Sequence, residues 1–157
     1  MELDPHQRDF IDDFASLWDQ LGGVAIQGRM VALLYISDQA ELTAPDIAEA
    51  LGVSRGTVSQ VTRELVRMRL IQRVSRPGDR RDYFRINPNA WYEASRSRLV
   101  ESTSFLELLH RGIRVRVAGS PEGSRALVNA ARFLEDYSAA MAEFLRTWKP
   151  PNDVETS

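Results

Sequence analysis

The sequence contains no cysteine, and this absence removes several classes of function. Disulfide frameworks, thiolate metal sites and cysteine nucleophiles all require a residue that the chain does not have. Its two histidines, His6 and His110, are far apart in sequence and match no metal-ligand spacing. No nucleophile with a partner base and no glycine-rich phosphate loop appears either. We therefore expect no enzymatic activity, no bound metal and no cofactor.

Long hydrophobic runs are also missing. The longest apolar stretch, residues 30–36, is far shorter than the ~20 residues that span a bilayer. The acidic N-terminus lacks the basic flank and apolar run of a signal peptide. With 43% hydrophobic and 27% charged residues, the composition is that of an ordinary globular protein. These features predict a cytoplasmic protein.

Lysine is nearly absent, since nineteen of the twenty basic residues are arginine. The arginines are concentrated in the middle of the chain. Residues 44–98 carry eleven arginines against six acids, whereas residues 1–43 carry two against eight. A basic centre between acidic flanks is typical of a phosphate-binding surface, although charge alone fits an ordinary solvated surface better.

Apolar spacing predicts helices on both sides of this basic centre. Steps of three and four residues indicate four of them, over residues 6–21, 24–37, 88–117 and 121–148. Gly22-Gly23 ends the first, Gly112 is a candidate break in the third, and residues 38–42 form a polar connection. The apolar stripes of the last two helices exceed what a monomer of this size can cover, so they predict a homodimer. A monomeric bundle is the alternative.

The centre of the chain has the pattern of two short helices joined by a tight turn. Thr43 has the character of an N-cap, and Pro45 fits the first helical turn. Gly52 ends that helix, and Ser54 caps the next, whose apolar spacing gives one buried stripe. This pattern predicts a helix-turn-helix that presents its second helix to the DNA major groove. An ordinary helical hairpin is the alternative.

The exposed face of the second helix is polar, and residues 54–63 contain no acid. Its side chains offer donors and acceptors that suit base edges and phosphates. The predicted DNA-binding residues of this helix are Ser54, Arg55, Thr57, Ser59, Gln60, Thr62 and Arg63. Base readout is assigned to Arg55, Thr57, Ser59 and Gln60. Arg63 is assigned to phosphate.

A β-hairpin is predicted directly after this helix. Residues 70–75 and 82–86 are the expected strands, and residues 76–81 form a turn rich in helix and strand breakers. Such a wing reaches the minor groove, whose negative potential attracts arginine. Its predicted DNA-binding residues are Arg73, Arg76, Arg80, Arg81 and Arg85, of which Arg73 and Arg76 mainly contact phosphate. Asp79 or Asp82 is expected to hold one of these arginines by a local ion pair.

The runs SRGTVSQVTREL and PGDRRDYFR, with Trp91 soon after them, resemble MarR-type winged helix-turn-helix regulators. They are most similar to the GbsR-like branch, named for the glycine-betaine synthesis repressor. The resemblance extends over roughly residues 10–145 and is strongest from Leu42 to Trp91. It implies a mainly α fold with a small β-hairpin wing, in an obligate dimer that binds a pseudo-palindrome in double-stranded DNA. It also places the wing-tip role on Arg80 and Arg81.

The predicted organisation has four parts. N-terminal helices over residues 1–37 contribute to dimerisation, and residues 38–87 form the winged helix-turn-helix. C-terminal dimerisation helices occupy residues 88–148, and residues 149–157 form a disordered tail. The predicted function is sequence-specific transcription regulation, with repression favoured over activation. The alternative is a winged-helix module that binds a protein partner.

Four aromatic residues form a candidate pocket for a small-molecule effector: Trp18, Tyr35, Trp91 and Phe105. Aromatic faces bind quaternary ammonium groups well. Core packing is nevertheless the better interpretation of these side chains, because buried aromatics dominate ordinary cores.

Overall fold

A computed structural model describes residues 3–115 and 121–149, and within these ranges the chain is mainly helical. The elements are α1 (Pro5–Gln20), α2 (Ala25–Ile36), β1 (Leu42–Thr43), α3 (Ala44–Leu51), α4 (Arg55–Arg67), β2 (Ile71–Ser75), β3 (Asp82–Ile86), α5 (Ala90–Val115) and α6 (Pro121–Thr147). The chain divides into two compact units, with the boundary between Ala90 and Trp91. The predicted fold class, mainly α with a small hairpin wing, is confirmed.

Helix α1 begins with a reciprocal cap. The Asp4 carboxylate accepts the backbone N–H of Gln7 at 2.9 Å, and the Gln7 side chain accepts the backbone N–H of Asp4 at 3.1 Å. This capping box satisfies two N–H groups that a helix start otherwise leaves unpaired. The helix ends before Gly22, whose φ of 85° lies in the left-handed region that glycine tolerates. The predicted end at Gly22-Gly23 is confirmed.

The core of the first unit is built around α2. Residues 30–34 of this helix are all buried, as its apolar composition predicts. Ile11 from α1, Ile47 from α3 and Leu65 from α4 are each no more than 1% exposed and belong to the same cluster. Burial of each such side chain stabilises the fold by roughly 1.5–3 kcal/mol. The N-terminal helices therefore share one core with the helix-turn-helix.

The two helices of the central motif have the predicted ends. Thr43 caps α3, and the Asp46 carboxylate accepts both the backbone N–H of Thr43 at 2.9 Å and its hydroxyl at 2.6 Å. These two hydrogen bonds lower the pKa of Asp46 because they stabilise its ionised form. Gly52 follows α3 with a φ of 65°, and Ser54 caps α4. The helix-turn-helix prediction is confirmed at each of these positions.

The hairpin is part of a three-stranded antiparallel sheet in the order β1-β3-β2. Strands β2 and β3 pair from Ile71 opposite Ile86 to Ser75 opposite Asp82. Strand β1 adds Leu42 opposite Phe84. The prediction that residues 38–42 form only a polar connection is wrong for the last of them, because Leu42 is fully buried and pairs with the hairpin.

The second unit contains α5 and α6. Within it, the Ser102 and Ser138 hydroxyls are 3.0 Å apart, and His110 Nε2 lies 2.8 Å from Glu135 Oε1. Helix α5 continues through Gly112 without a break, so that candidate break is wrong. The predicted residues 116–117 of this helix, the turn after it and the tail beyond Lys149 lie outside the described residues. Every helix in the described ranges is too short or too polar to cross a lipid bilayer.

Candidate nucleic-acid interface

Helix α4 begins at a well-formed cap. Ser54 Oγ accepts the backbone N–H of Thr57 at 3.1 Å, and the two hydroxyl oxygens are 2.9 Å apart. The first turn of any helix carries unpaired N–H groups and the positive end of the helix dipole. Both features favour an anion, so this end of α4 suits a phosphate group.

The side chains predicted for base readout lie along one accessible side of α4. Arg55, Ser59 and Gln60 are exposed, and Thr57 is partly exposed beside the cap. Arg63 is also exposed, and its Nε donates to the Ser59 carbonyl at 3.0 Å. Five polar side chains are therefore available on this surface without rearrangement of the helix.

Thr62 is the exception, and the prediction that it lies on the exposed face is wrong. Its side chain is 3% exposed, and its hydroxyl donates to the Val58 carbonyl at 2.8 Å. Position 62 lies one turn from Val58 and from Leu65, which are both fully buried. A threonine can occupy such a stripe because its hydroxyl is satisfied on its own helix.

The Asp79 carboxylate accepts hydrogen bonds from two residues of the wing, Arg81 and Tyr83. It accepts hydrogen bonds from the guanidinium and the backbone N–H of Arg81, at 2.7–3.1 Å. It also accepts the Tyr83 hydroxyl at 2.7 Å. The bonds from Arg81 hold the pKa of Asp79 well below its usual range, and the bond to Asp79 raises the pKa of Tyr83. The turn therefore keeps an ionised Asp79 with Arg81 held against it.

The prediction that Asp79 or Asp82 holds a wing arginine is confirmed, because both do. Arg73 Nη2 lies 2.7 Å from Asp82 Oδ1, next to the ion pair between Arg81 and Asp79. Arg80 differs from its neighbours, since it is exposed and has no ion-pair partner within the described ranges. Its guanidinium is the wing cation that is most available to an incoming anion.

Glu41, directly before β1, forms ion pairs with one arginine of the wing turn and one of β3. Arg76 Nη2 donates to Glu41 Oε2 at 2.8 Å, and Arg85 Nη1 lies 3.9 Å from Glu41 Oε1. The Arg76 guanidinium also lies 4.0 Å from the centre of the Tyr83 ring, which is cation–π geometry. Exposed ion pairs of this kind add little stability, but here they limit where each arginine can point.

Residues from the helix and from the wing line one cavity of about 280 Å³. Ser59 and Arg63 contribute from α4, and Arg73 and Asp82 contribute from the hairpin. Of the predicted DNA-binding residues, Ser59, Thr62, Arg63 and Arg73 therefore line one cavity, and the others do not line it. With a capped helix, an arginine-lined hairpin and this shared surface, the first unit has the parts of a winged helix.

Comparison with known proteins agrees with this geometry. The MarR family model matches residues 26–82 of the chain. The HTH-type transcriptional regulator MmpR5 of Mycobacterium tuberculosis is 28% identical over 127 residues, which are 81% of this chain and 77% of that protein. A crystal structure of a transcriptional regulator superposes with a TM-score of 0.77 at 26% identity, covering 90% of this chain and 97% of the other.

The chain is thus similar to MarR family winged-helix regulators. The family model spans α2, the helix-turn-helix and the wing turn, which are the elements that build the described surface. The structural likeness extends further and includes most of the second unit.

Asn87 is a residue at the base of the wing that sequence reasoning missed. It is 4% exposed, and its Nδ2 donates to the Arg69 carbonyl at 2.7 Å. Arg69 has a φ of 60°, at the turn where α4 gives way to β2. Asn87 Oδ1 also accepts from Gln72 Nε2 at 3.3 Å. An asparagine before a proline indicates a turn, but no local pattern predicts that its amide is buried.

The four aromatic residues of the candidate effector pocket are distributed over both units. In the first unit, the rings of Trp18 and Tyr35 lie 5.9 Å and 6.3 Å from that of Phe14. In the second unit, Trp91 and Phe105 are 60% and 55% exposed. The pocket therefore stays a prediction. Within the described ranges, no cluster of three or more histidine, aspartate or glutamate residues is placed to hold a metal ion.

Proposed function

We propose that this chain is a sequence-specific transcriptional regulator that binds double-stranded DNA as a homodimer. The observation that carries the proposal is that the acid-free segment 54–63 of α4 and the arginine-bearing hairpin contribute Ser59, Arg63 and Arg73 to one cavity. Helix α4 enters the major groove, where Arg55, Thr57, Ser59 and Gln60 contact base edges. The hairpin enters the adjacent minor groove. The match to the transcriptional regulator MmpR5 supports this role.

The wing arginines differ in whether an ion pair with a carboxylate restricts the side chain. Arg81 is held by Asp79, which fixes the direction of its donors at the wing turn. Arg80 is unheld and is free to follow the phosphate backbone or the groove. Arg73 and Arg76, with Arg63 from α4, contact phosphate. Phosphate contacts position the protein on the duplex, and the base contacts of α4 supply specificity.

The homodimer is supported by the apolar surface of the second unit. Val100, Phe105 and Leu108 on α5 are 50–68% exposed, and Phe133 on α6 is 69% exposed. A soluble monomer rarely exposes a concentration of large apolar side chains, whereas an oligomer covers them. A two-fold dimer binds two half-sites about 34 Å apart, so the operator is a pseudo-palindrome.

Several finer points belong to the same proposal. We favour repression over activation, and we place the protein in the cytoplasm because a regulator must reach its DNA. The wing sequence favours the GbsR-like branch. Control by a small-molecule effector, such as a quaternary ammonium compound, is also part of the proposal.

The test is binding to labelled duplex DNA, measured by fluorescence anisotropy over a range of salt concentrations. Each phosphate contact adds about 0.9 to the slope of log affinity against log salt. Replacing Arg80 and Arg81 together by alanine is expected to weaken binding by orders of magnitude. The control is Arg146→Ala, which removes one arginine from α6, where it pairs with Glu143. Unchanged affinity in the double variant refutes the wing assignment. Salt-independent behaviour favours a module that binds a protein partner.

A further inference from the structure

Glu64 is the single acidic residue of α4. A negative charge on a helix that lies against DNA repels the phosphate backbone, so its presence there needs an explanation. Glu64 follows Gln60 by four residues, which places the two side chains on neighbouring turns of one face. Its position makes contact with a residue assigned to base readout possible.

The Glu64 carboxylate bridges two amide side chains. Its Oε2 accepts from Gln27 Nε2 at 2.8 Å, and its Oε1 accepts from Gln60 Nε2 at 3.3 Å. Gln27 belongs to α2 and is 8% exposed, whereas Gln60 is on the exposed side of α4. A chain of hydrogen bonds thus runs from the core helix to the surface proposed to read DNA.

This arrangement fixes which end of the Gln60 amide points away from the helix. An ionised carboxylate can only accept hydrogen bonds, so the nitrogen ends of both amides must face Glu64. The bonds from Gln27 and Gln60 lower the pKa of Glu64, which keeps the carboxylate ionised at neutral pH. Gln60 then retains its carbonyl oxygen and one N–H for another partner. An acceptor beside a donor is the pattern that matches N6 and N7 of adenine.

We propose that Glu64 is a positioning residue for base recognition. Glu64 is anchored by its hydrogen bond from Gln27 and holds the Gln60 carboxamide in the orientation that reads adenine. The inference rests on the proposed DNA-binding function. The proposal also explains why α4 carries an acid. The Glu64 carboxylate repels phosphate and so lowers affinity, but by positioning Gln60 it increases discrimination between bases.

The test uses the full chain and a pool of random duplexes, from which the protein selects its preferred site. Affinities are then measured for that site and for versions with each other base at the positions nearest Gln60. Gln60→Ala is expected to lower the discrimination at one position of each half-site by about tenfold, the effect of losing a bidentate base contact. Glu64→Gln is expected to lower it by about fivefold, because a neutral amide lets Gln60 turn either way.

A second readout separates positioning from folding. Glu64→Gln removes a negative charge near phosphate, so affinity for non-specific DNA is expected to stay the same or increase. A folding defect would instead lower the affinity for the selected site and the affinity for non-specific DNA together. Combined with Gln60→Ala, the Glu64 substitution is expected to add no further loss of discrimination, because its effect acts through Gln60. Glu49→Gln on α3 is the charge-matched control and is expected to leave base discrimination unchanged.

The outcomes distinguish the two proposals. If the wild-type chain selects no sequence, the proposed function fails. If it selects a site and Glu64→Gln keeps the same base discrimination, the positioning role is overturned while the function stands. The positioning role also fails if Glu64→Gln changes discrimination when Gln60 is already alanine, or if Glu49→Gln has an equal effect.

Discussion

Gly28 is the position where a single methyl group tests how closely α1 and α2 pack. It lies inside α2 and is buried. A Cβ atom at this position would lie 2.8 Å from Trp18 Cβ and 2.9 Å from Ala15 Cα, both on α1. Optimal separations between carbon atoms are about 3.5–4.0 Å. Gly28→Ala therefore requires the two helices to move apart.

Two opposing effects decide the sign of this substitution. Helix propensity favours alanine over glycine by about 1 kcal/mol in a helix interior. Overpacking a well-packed core costs roughly 1–3 kcal/mol. The two nearest atoms are a backbone carbon and a first side-chain carbon, which no rotamer change can move, so the upper part of that range applies. We expect Gly28→Ala to lower the free energy of unfolding by about 1–2 kcal/mol.

Gly56 provides a matched control in the same unit. It also lies in a helix, but the atom nearest to its added Cβ would be Ser54 Oγ at 3.6 Å, which is an ordinary contact. Only helix propensity then acts, and Gly56→Ala is expected to raise the free energy of unfolding by up to about 1 kcal/mol. The same substitution at two helical glycines should thus have opposite signs.

Urea unfolding followed by far-ultraviolet circular dichroism measures both effects. Protein concentration must be held constant, because the proposed dimerisation would make the measured stability depend on concentration. A change in midpoint without a change in slope reports stability alone. If Gly28→Ala is as stable as the wild type or more stable, the close approach of α1 and α2 is refuted.

Three further predictions address the cap, the wing and the dimer. Thr43 lowers the pKa of Asp46, so this carboxylate stabilises the fold above its ordinary value of 3.8, and the contribution is lost as pH falls through the lowered value. Urea unfolding from pH 7 to pH 3 should show the stability gap between wild type and Asp46→Asn closing in acid. Asp79→Asn removes the charged acceptor that holds Arg81, so it is expected to raise affinity for non-specific DNA and to lower the ratio of specific to non-specific affinity about tenfold in fluorescence anisotropy, with unchanged circular dichroism. Phe105→Asp places a charge on the exposed apolar face of α5 and should yield monomers in sedimentation velocity. An unchanged dimer would show that this face is not part of the dimer interface.

The parts of the fold that sequence reasoning predicted are those with local causes. The Thr43 and Ser54 caps are closed by hydrogen bonds to residues three positions away. Gly52 has the left-handed φ that a helix end of this type requires. Each signal lies within a few residues of its effect, so it can be recognised before any tertiary structure is known.

The parts that sequence reasoning missed have two causes, one a distant partner and the other a contact within one helix. Strand β1 is two residues long, and Leu42 pairs with Phe84 far along the chain. The polar character of Thr62 predicts an exposed side chain, but its hydroxyl donates a hydrogen bond to the Val58 carbonyl on its own helix. In both cases the deciding contact is absent from the pattern of apolar and polar residues.

Contacts that only the structure reveals also change how the charge of the wing should be interpreted. Five arginines on the hairpin suggest five free cations, but four of them have an acidic partner in the structure. A paired arginine must share or leave its carboxylate to contact a phosphate, so its net gain in attraction is smaller than that of a free one. The slope of log affinity against log salt should therefore fall below the value expected from counting arginines. On this view Glu41, Asp79 and Asp82 reduce the non-specific attraction of the wing, and they leave the specific contacts of α4 with a larger share of the binding free energy.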